Sequence, residues 1–403
     1  MRRLRALVVD DSAFMRSAVA RLVEADERFE VVGQARDGEE AVALARSLRP
    51  DVISMDFNMP KLNGAEATRQ IVRERGVGVV MLSAHTREGA TETLAALRAG
   101  AVDYVPKPGG EVSAHIGQIR EELLSKLYAA ARANRAAIQR GVERLDGAGE
   151  RSTTPGEHPS AERASGAGER PSSAIGHASG ERRFAAGERA SAFGERSSVE
   201  RASAAGRPSS PSASPLPSGL RVIVIASSTG GPAALAQVVP ALDLTRSALL
   251  VVQHMAGGFT RALADQLSRA APFSVREAQG GEQLREGVCL VAAGDSHLQV
   301  ERGGLVRLTL SPPIHGVRPA ADVTLRSVAA VYGPRAIGVV LTGMGRDGAL
   351  GLAAVKAAGG RSLAQSEASS VVYGMPRAAV ELGVVDEVVD LERVAAAICR
   401  LVS

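Results

Sequence analysis

Three carboxylates, a hydroxyl and an amine stand at the ends of successive apolar runs near the start of the chain. Asp10 and Asp11 close the run Ala6–Val9, Asp56 closes Val52–Met55, Ser83 ends Val77–Leu82, and Lys107 follows Val102–Val105. Carboxylates brought together repel one another and call for a divalent cation, and Mg2+ is the usual partner where carboxylates meet a phosphate. A carboxylate beside such a cation can attack a phosphoryl donor and become an acyl phosphate. A lysine and a hydroxyl then contact the phosphoryl oxygens.

A second set of residues follows the same rule further on. The run Arg221–Ala226 leads into Ser227-Ser228-Thr229-Gly230-Gly231-Pro232, and Ala248–Val252 ends in Gln253-His254-Met255. The run Ile337–Leu341 ends in Thr342-Gly343-Met344-Gly345-Arg346-Asp347-Gly348. A serine at a strand-to-helix turn exposes its hydroxyl, and the helix amides face a developing oxyanion. Glycines let the backbone approach a substrate closely. Serine, histidine and aspartate supply a nucleophile, a base and an orienting carboxylate. Their order here, Ser then His then Asp, differs from that of the nucleophile-elbow hydrolases.

Singly, these residues have plainer readings. An aspartate at a strand end is commonly a helix cap. Ser-Ser-Thr before Gly-Gly-Pro reads equally as an N-cap with proline at the helix start, or as a phosphate-cradling loop. A lone histidine is more often structural than catalytic. What favours chemistry is convergence: the C-terminal ends of parallel strands share one edge, where ligands bind.

The elements needed for that edge are legible. Residues 1 to about 140 alternate apolar runs, including Val31–Val32, with helical patterns at Ala13–Val23, Glu39–Leu48 and Thr91–Leu97. A last helix is expected from about Ser113 to Gln139. The alternation returns from Leu220, with buried strands at Arg221–Ala226, Ala248–Val252, Cys289–Ala292 and Ile337–Leu341. Helices are expected there at Pro232–Leu242, Thr260–Arg269, Arg346–Ala357 and Leu391–Leu401. Two α/β domains with doubly wound parallel sheets are therefore predicted, flavodoxin-like and Rossmann-like. Their expected bounds are 1–125, with a helical extension over 126–140, and 220–403. Residues 141–219 are rich in Gly, Ser, Ala, Pro, Glu and Arg, and repeat Gly-Glu-Arg from Gly149, Gly168, Gly180, Gly187 and Gly194 without an apolar seam. That composition predicts a disordered linker.

Bulk properties exclude several classes. The net charge is +4, the basic residues are dispersed, and only 3% of residues are aromatic with no Trp, so nucleic-acid binding is not expected. No apolar run approaches the roughly 18 residues of a membrane span, and the run after the basic N-terminus is too short for a signal peptide. Cys289 and Cys399 are too few and too distant for a disulfide framework or metal site. A cytoplasmic monomer without membrane insertion is expected.

With these residues in view, the first 125 or so resemble the response-regulator receiver family. The resemblance implies that Asp56 is the phosphoacceptor and that Asp11, Asp56 and the Asn58 main-chain carbonyl hold Mg2+ with help from Asp10. It also implies that Ser83, Lys107 and the switch aromatic Tyr104 respond to the phosphoryl group. Residues 220–403 resemble the catalytic domain of the chemotaxis protein-glutamate methylesterases. The match runs through Ser-Ser-Thr-Gly-Gly, Gln-His-Met, Ala-Ala-Gly-Asp-Ser-His (292–297), Arg318-Pro319 with Asp322, Thr-Gly-Met-Gly, Gln365-Ser366-Glu367-Ala368 and Tyr373-Gly374-Met375-Pro376. Carried over, Ser228 is the nucleophile, His254 the general base and Asp347 the orienting acid, with Thr229 and Met344 bordering the oxyanion site. The family commonly has Gly-Ala where this chain has Ala226-Ser227, which leaves Ser227 as an alternative nucleophile.

The joint resemblance implies a phosphorylation-activated hydrolase that demethylates receptor glutamate esters and deamidates receptor glutamines. Its partners would be a chemotaxis histidine kinase and methyl-accepting receptors, with Mg2+ serving the receiver and no cofactor serving the ester reaction. The unphosphorylated receiver would cover the hydrolase site. A tether lengthened fourfold weakens such docking by about eightfold, so a raised basal activity stimulated by acetyl phosphate is predicted. An amidase or protease, and a non-enzymatic adaptor, are the competing classes.

Overall fold

The computed structural model describes residues 2–83, 86–107, 116–151 and 219–403. The predicted linker, apart from its first residues, lies outside the described residues, as does Ser113.

The N-terminal domain alternates β1 (Leu4–Val9), α1 (Ala13–Glu24), β2 (Phe29–Ala35), α2 (Gly38–Leu48), β3 (Val52–Asp56), α3 (Gly64–Arg75), β4 (Gly78–Ser83), α4 (Arg87–Arg98) and β5 (Asp103–Pro106). Its five strands are parallel, in the order β2-β1-β3-β4-β5. β3 and β4 are buried throughout, as strands covered by helices on both faces must be. Local signals set the helix starts. Asp37 accepts from the Glu40 amide to cap α2, and Asn63 with Glu66 forms a capping box on α3.

The single helix expected to Gln139 is instead two, α5 (Arg120–Ala131) and α6 (Arg135–Arg151). The break has a cause in Asn134. Its side chain accepts from the Ala137 amide at 3.1 Å, capping a new helix, while its own amide donates to Val371 of the C-terminal domain at 2.9 Å. α6 also runs past the composition-based boundary at residue 140.

The C-terminal domain comprises β6 (Arg221–Ser227), α7 (Gly231–Val238), β7 (Ser247–Gln253), α8 (Phe259–Ala270), β8 (Val275–Glu277), β9 (Cys289–Val291), β10 (His297–Val300), β11 (Val306–Thr309), α9 (Ala321–Tyr332), β12 (Ala336–Val340), α10 (Ala349–Ala357), β13 (Arg361–Gln365), α11 (Met375–Glu381), β14 (Glu387–Val389) and α12 (Leu391–Val402). Seven strands form one parallel sheet in the order β14-β13-β12-β6-β7-β9-β8, and β10 with β11 makes a separate antiparallel pair. The helix expected over Pro232–Leu242 ends at Val238 and finishes as a 3-10 turn containing Pro240, which has no amide hydrogen to continue an α-helix. The helix expected from Arg346 begins at Ala349, because Gly348 stands at φ 90°.

Candidate active site

β6, β7 and β12 are adjacent, so their C-terminal ends deliver Ser228, His254 and Asp347 to one edge. The Ser227-Ser228-Thr229 turn is tightly held. The Ser228 amide donates to the Thr342 carbonyl at 3.1 Å, and the His254 amide donates to Ser227 at 3.1 Å. A β-carbon at Gly231 would lie 2.0 Å from Gln253 Oε1, and one at Gly343 would lie 2.8 Å from Ser228 Cβ. These glycines are what allow the turn and the Thr-Gly-Met-Gly loop to meet.

The two adjacent serines are differently placed. Ser227 is fully buried and donates to Gln253 Oε1 at 2.7 Å. Ser228 is half-buried and lines a cavity of about 590 Å3 together with Thr229, His254, Met344 and Asp347. His254 Nε2 lies 2.8 Å from Asp347 Oδ2, which leaves Nδ1 as the second ring nitrogen. Asp347 also accepts from the amides of Ala321 (2.5 Å), Asp322 (3.0 Å) and Gly348 (3.0 Å). Burial opposes its charge, but the His254 hydrogen bond and charge and the amide donors outweigh that and hold its pKa below the ordinary value.

Asp322, quoted in the sequence motif without a role, lies behind Asp347. Its Oδ1 accepts from Gly348 (3.0 Å) and Gly351 (2.6 Å), and its Oδ2 lies 3.1 Å from His315 Nε2. His315, Asp322 and Asp347 each bring a ligand atom within 4.8 Å of the others. Amide donors at the starts of α9 and α10 already occupy these carboxylates, and their positive dipole ends oppose a cation. Asp322 and the amides of Ala321, Gly348 and Gly351 form a hydrogen-bonded platform for Asp347, and His315 bonds Asp322 without bonding Asp347.

At the N-terminal sheet edge, Asp10, Asp11 and Asp56 place carboxylate oxygens within 4.8 Å of one another. Lys107 Nζ lies 2.7 Å from Asp56 and 3.0 Å from Asp10. Burial raises the Asp56 pKa to about 6, with Asp10 adding to the effect and Lys107 opposing it. Burial opposes the Lys107 charge, but Asp56 and Asp10 prevail and raise its pKa. Three carboxylates against one ammonium, with oxygens in reach of one point, fit a hard divalent cation. Asn58 turns its side-chain amide to Glu92 at 3.0 Å. Ser83 is turned toward α4, donating to the Gly89 carbonyl at 3.0 Å and accepting from Thr93 at 2.5 Å.

Comparison with known proteins agrees with this division. The family description "CheB methylesterase" matches residues 223–398, and "Response regulator receiver domain" matches residues 6–115. The protein-glutamate methylesterase/protein-glutamine glutaminase of Symbiobacterium thermophilum is 41% identical over 402 residues, covering 100% of this chain and 98% of the relative. The chain belongs to the protein-glutamate methylesterase/protein-glutamine glutaminase family. The Pyrococcus abyssi member is 37% identical over 405 residues, covering 100% of this chain and 94% of the relative. Among solved structures, the Thermotoga maritima CheB methylesterase catalytic domain is 39% identical, covers 45% of this chain and 98% of its own, and gives a TM-score of 0.44.

The receiver of this methylesterase-family chain contributes to the cavity, which sequence reasoning did not foresee in detail. Three consecutive receiver residues accept hydrogen bonds from the rim of the esterase site. Val102 O takes the Gly230 amide at 2.9 Å, Asp103 Oδ2 takes the Thr229 hydroxyl at 2.5 Å, and the Tyr104 hydroxyl takes the Ala256 amide at 3.4 Å. The Tyr104 ring lies 4.5 Å from that of Phe259, and burial, with Asp103 adding, raises the phenol pKa. Lys126 Nζ reaches Tyr104 O at 2.6 Å and Asp103 Oδ1 at 3.4 Å, and Ser125 Oγ lies 3.6 Å from Met344 Sδ. Asp103, Lys126, Gln253 and His315 all went unselected in the sequence. A glutamine closing an otherwise apolar strand was a usable signal for Gln253. Nothing local marked the others, because their partners lie on remote segments.

Among the described residues, no helix is long and apolar enough to cross a membrane.

Proposed function

We propose that this protein is a phosphorylation-activated hydrolase that removes methyl groups from glutamate methyl esters of chemotaxis receptors and deamidates receptor glutamines. Ser228 is the nucleophile, His254 the general base and Asp347 the orienting acid. The observation that carries this reading is the His254 Nε2–Asp347 Oδ2 hydrogen bond of 2.8 Å beside a cavity that Ser228 also lines. Asp347 fixes the hydrogen on Nε2, so Nδ1 is the nitrogen that takes the Ser228 proton. The freed oxygen attacks the ester carbonyl, the bond between the carbonyl carbon and the methoxy oxygen breaks, and methanol leaves with the proton from His254. Water then hydrolyses the acyl enzyme by the same route. Thr229 and Met344 border the developing oxyanion. Ser227, bonded to Gln253, is a structural residue.

In the receiver, Asp56 accepts the phosphoryl group. Asp10, Asp11, Asp56 and the Asn58 carbonyl would hold Mg2+, which neutralises charge on the carboxylates and the phosphoryl oxygens. Lys107 steadies the product, and Ser83 turns from Gly89 to reach it. Tyr104, at the esterase rim, carries the change to the interface. The phosphodonor is a chemotaxis histidine kinase, the ester reaction uses no cofactor, and the chain works as a cytoplasmic monomer. Its units are the receiver (1–125), a helical arm, the linker and the esterase (220–403).

The test is methanol release from methylated receptors in the presence of acetyl phosphate. Ser228→Ala is expected to lower the rate by at least about 10^3-fold, while Ser227→Ala stays within several-fold of wild type. A Ser228→Ala protein that keeps most of its rate overturns the assignment. Turnover of peptides in preference to receptor esters favours the protease reading instead.

A further inference from the structure

We infer that His315 is a substrate-positioning residue that accepts an N–H of a bound side-chain carboxamide, and so favours glutamine deamidation over ester hydrolysis. The inference rests on the functional reading above.

His315 lies in the loop between β11 and α9, at φ 54°, a region that side chains other than Asn, Asp and His seldom adopt. It lines the same cavity as His254, Met344 and Asp347. The ring is oriented from behind: Nε2 lies 3.1 Å from Asp322 Oδ2, and Asp322 is 1% exposed. A carboxylate only accepts, so in the neutral ring the hydrogen sits on Nε2 and Nδ1 keeps its lone pair. The ring therefore offers the cavity an acceptor. Asp322 is joined to the catalytic acid through the Gly348 amide, which lies 3.0 Å from an oxygen of each carboxylate. The orientation of His315 and that of Asp347 are thus set by one platform.

The two substrates differ at the leaving atom. A methoxy oxygen carries no hydrogen, whereas a carboxamide nitrogen carries two. When Ser228 Oγ bonds the carbonyl carbon, its proton passes to His254. The amide nitrogen must then turn its lone pair toward His254 to receive that proton, so that the carbon–nitrogen bond breaks and ammonia leaves. An acceptor on one N–H holds the nitrogen in that orientation. An ester gains nothing from it. A site that hydrogen-bonds a substrate N–H discriminates far more strongly than one that matches shape.

The experiment uses the full chain with acetyl phosphate and two receptor substrates, one carrying glutamine and one carrying methylated glutamate at the same site. His315→Gly and His315→Asn both tolerate the left-handed backbone, and methanol release reports that the protein is folded. For His315→Gly, ammonia release is expected to fall about tenfold with methanol release within about twofold of wild type. For His315→Asn, whose Oδ1 can accept, an intermediate loss is expected. Equal losses on both substrates, or unchanged ammonia release in His315→Gly, overturn the inference. Release of neither product by the wild-type protein overturns the methylesterase reading itself, and the inference with it.

Discussion

Two sheet edges in this molecule share a topology and treat a buried aspartate in opposite ways. Asp56, 6% exposed, closes β3 of the receiver, and Asp347, 2% exposed, follows β12 of the esterase. Burial penalises both charges. Around Asp347 the surroundings answer with an imidazole and three amides, and its pKa falls. Around Asp56 they answer with one lysine set against a second carboxylate, and its pKa rises to about 6. The difference follows the role proposed for each carboxylate. An orienting acid must stay ionised and still, so its lone pairs are filled. A phosphoacceptor must keep an oxygen available for bond formation, so the fold leaves it under-compensated and accepts the cost in stability.

One substitution applied at both edges breaks or sharpens this comparison. Asp347→Asn is expected to have the larger effect, lowering methanol release by about 10^3 to 10^4-fold, since the amide presents hydrogens where an acceptor orients His254. It also sets an NH2 group against donors, so the folded domain loses roughly 2–4 kcal/mol. The sign is that of a depressed carboxylate. The stabilisation from Asp347 is present above the unfolded value of about 3.9 and lost as pH falls through the folded value. Thermal unfolding of wild type and variant should therefore converge as pH is lowered. Near-normal methanol release from Asp347→Asn breaks the assignment of an orienting role.

Asp56→Asn should do the reverse to stability. In the folded protein Asp56 holds its proton up to about pH 6, while an unfolded carboxylate releases it near 3.9 (about that value in model peptides). Between these values the native state binds more protons, so stability falls as pH rises through the window. With Lys107 losing a partner as an offset, Asp56→Asn is expected to stabilise the receiver by about 1–2 kcal/mol at neutral pH, and by little below about pH 4. Thermal unfolding with EDTA present checks this. The variant should also lose stimulation by acetyl phosphate. A variant less stable than wild type at neutral pH shows that Asp56 is not under-compensated.

Both edges were legible in the sequence for one reason. In a parallel sheet an apolar run fixes a strand, and the polar residue that ends it must lie at the carboxyl edge. Asp10 and Asp56 were found in that way, and His254 and Asp347 in the polar segments that follow such runs. Side-chain direction was not legible. Ser227 and Ser228 are adjacent polar residues in one turn, and the buried Gln253 partner of Ser227 and the cavity that Ser228 lines separate them. Ser83 was expected to face the phosphoryl site, but it bonds to Gly89 and Thr93 in a local contact that composition does not reveal. The short strands β8, β10, β11 and β14 carry too few residues for a period to show. The break at Asn134 joins a local cap on Ala137 to a bond with Val371 in the other domain, and only the first could be read locally.

The smallest expected effect lies where the two edges meet. Asp103 neither orients nor reacts. It accepts the Thr229 hydroxyl at 2.5 Å, one residue from Ser228, and Lys126 stands 3.4 Å away. A hydrogen bond to a charged group contributes roughly 1.5–3 kcal/mol, but only the part lost on undocking counts toward closure. Docking is also shared with the Gly230–Val102 and Ala256–Tyr104 bonds, the Tyr104–Phe259 contact and the Arg144–Glu392 pair. That spread of contacts reduces the dependence of closure on tether length that the linker alone implied. Removing Asp103 should then shift the closed population by about fivefold, or about 1 kcal/mol. Asp103→Ala is expected to raise methanol release without phosphodonor by that factor. Asp103→Asn, which keeps an acceptor, should raise it less, and all three proteins should agree once acetyl phosphate is added. If instead Asp103→Ala leaves the basal rate unchanged, the Thr229 contact contributes nothing to closure, and the backbone and aromatic contacts on either side of it hold the receiver in place.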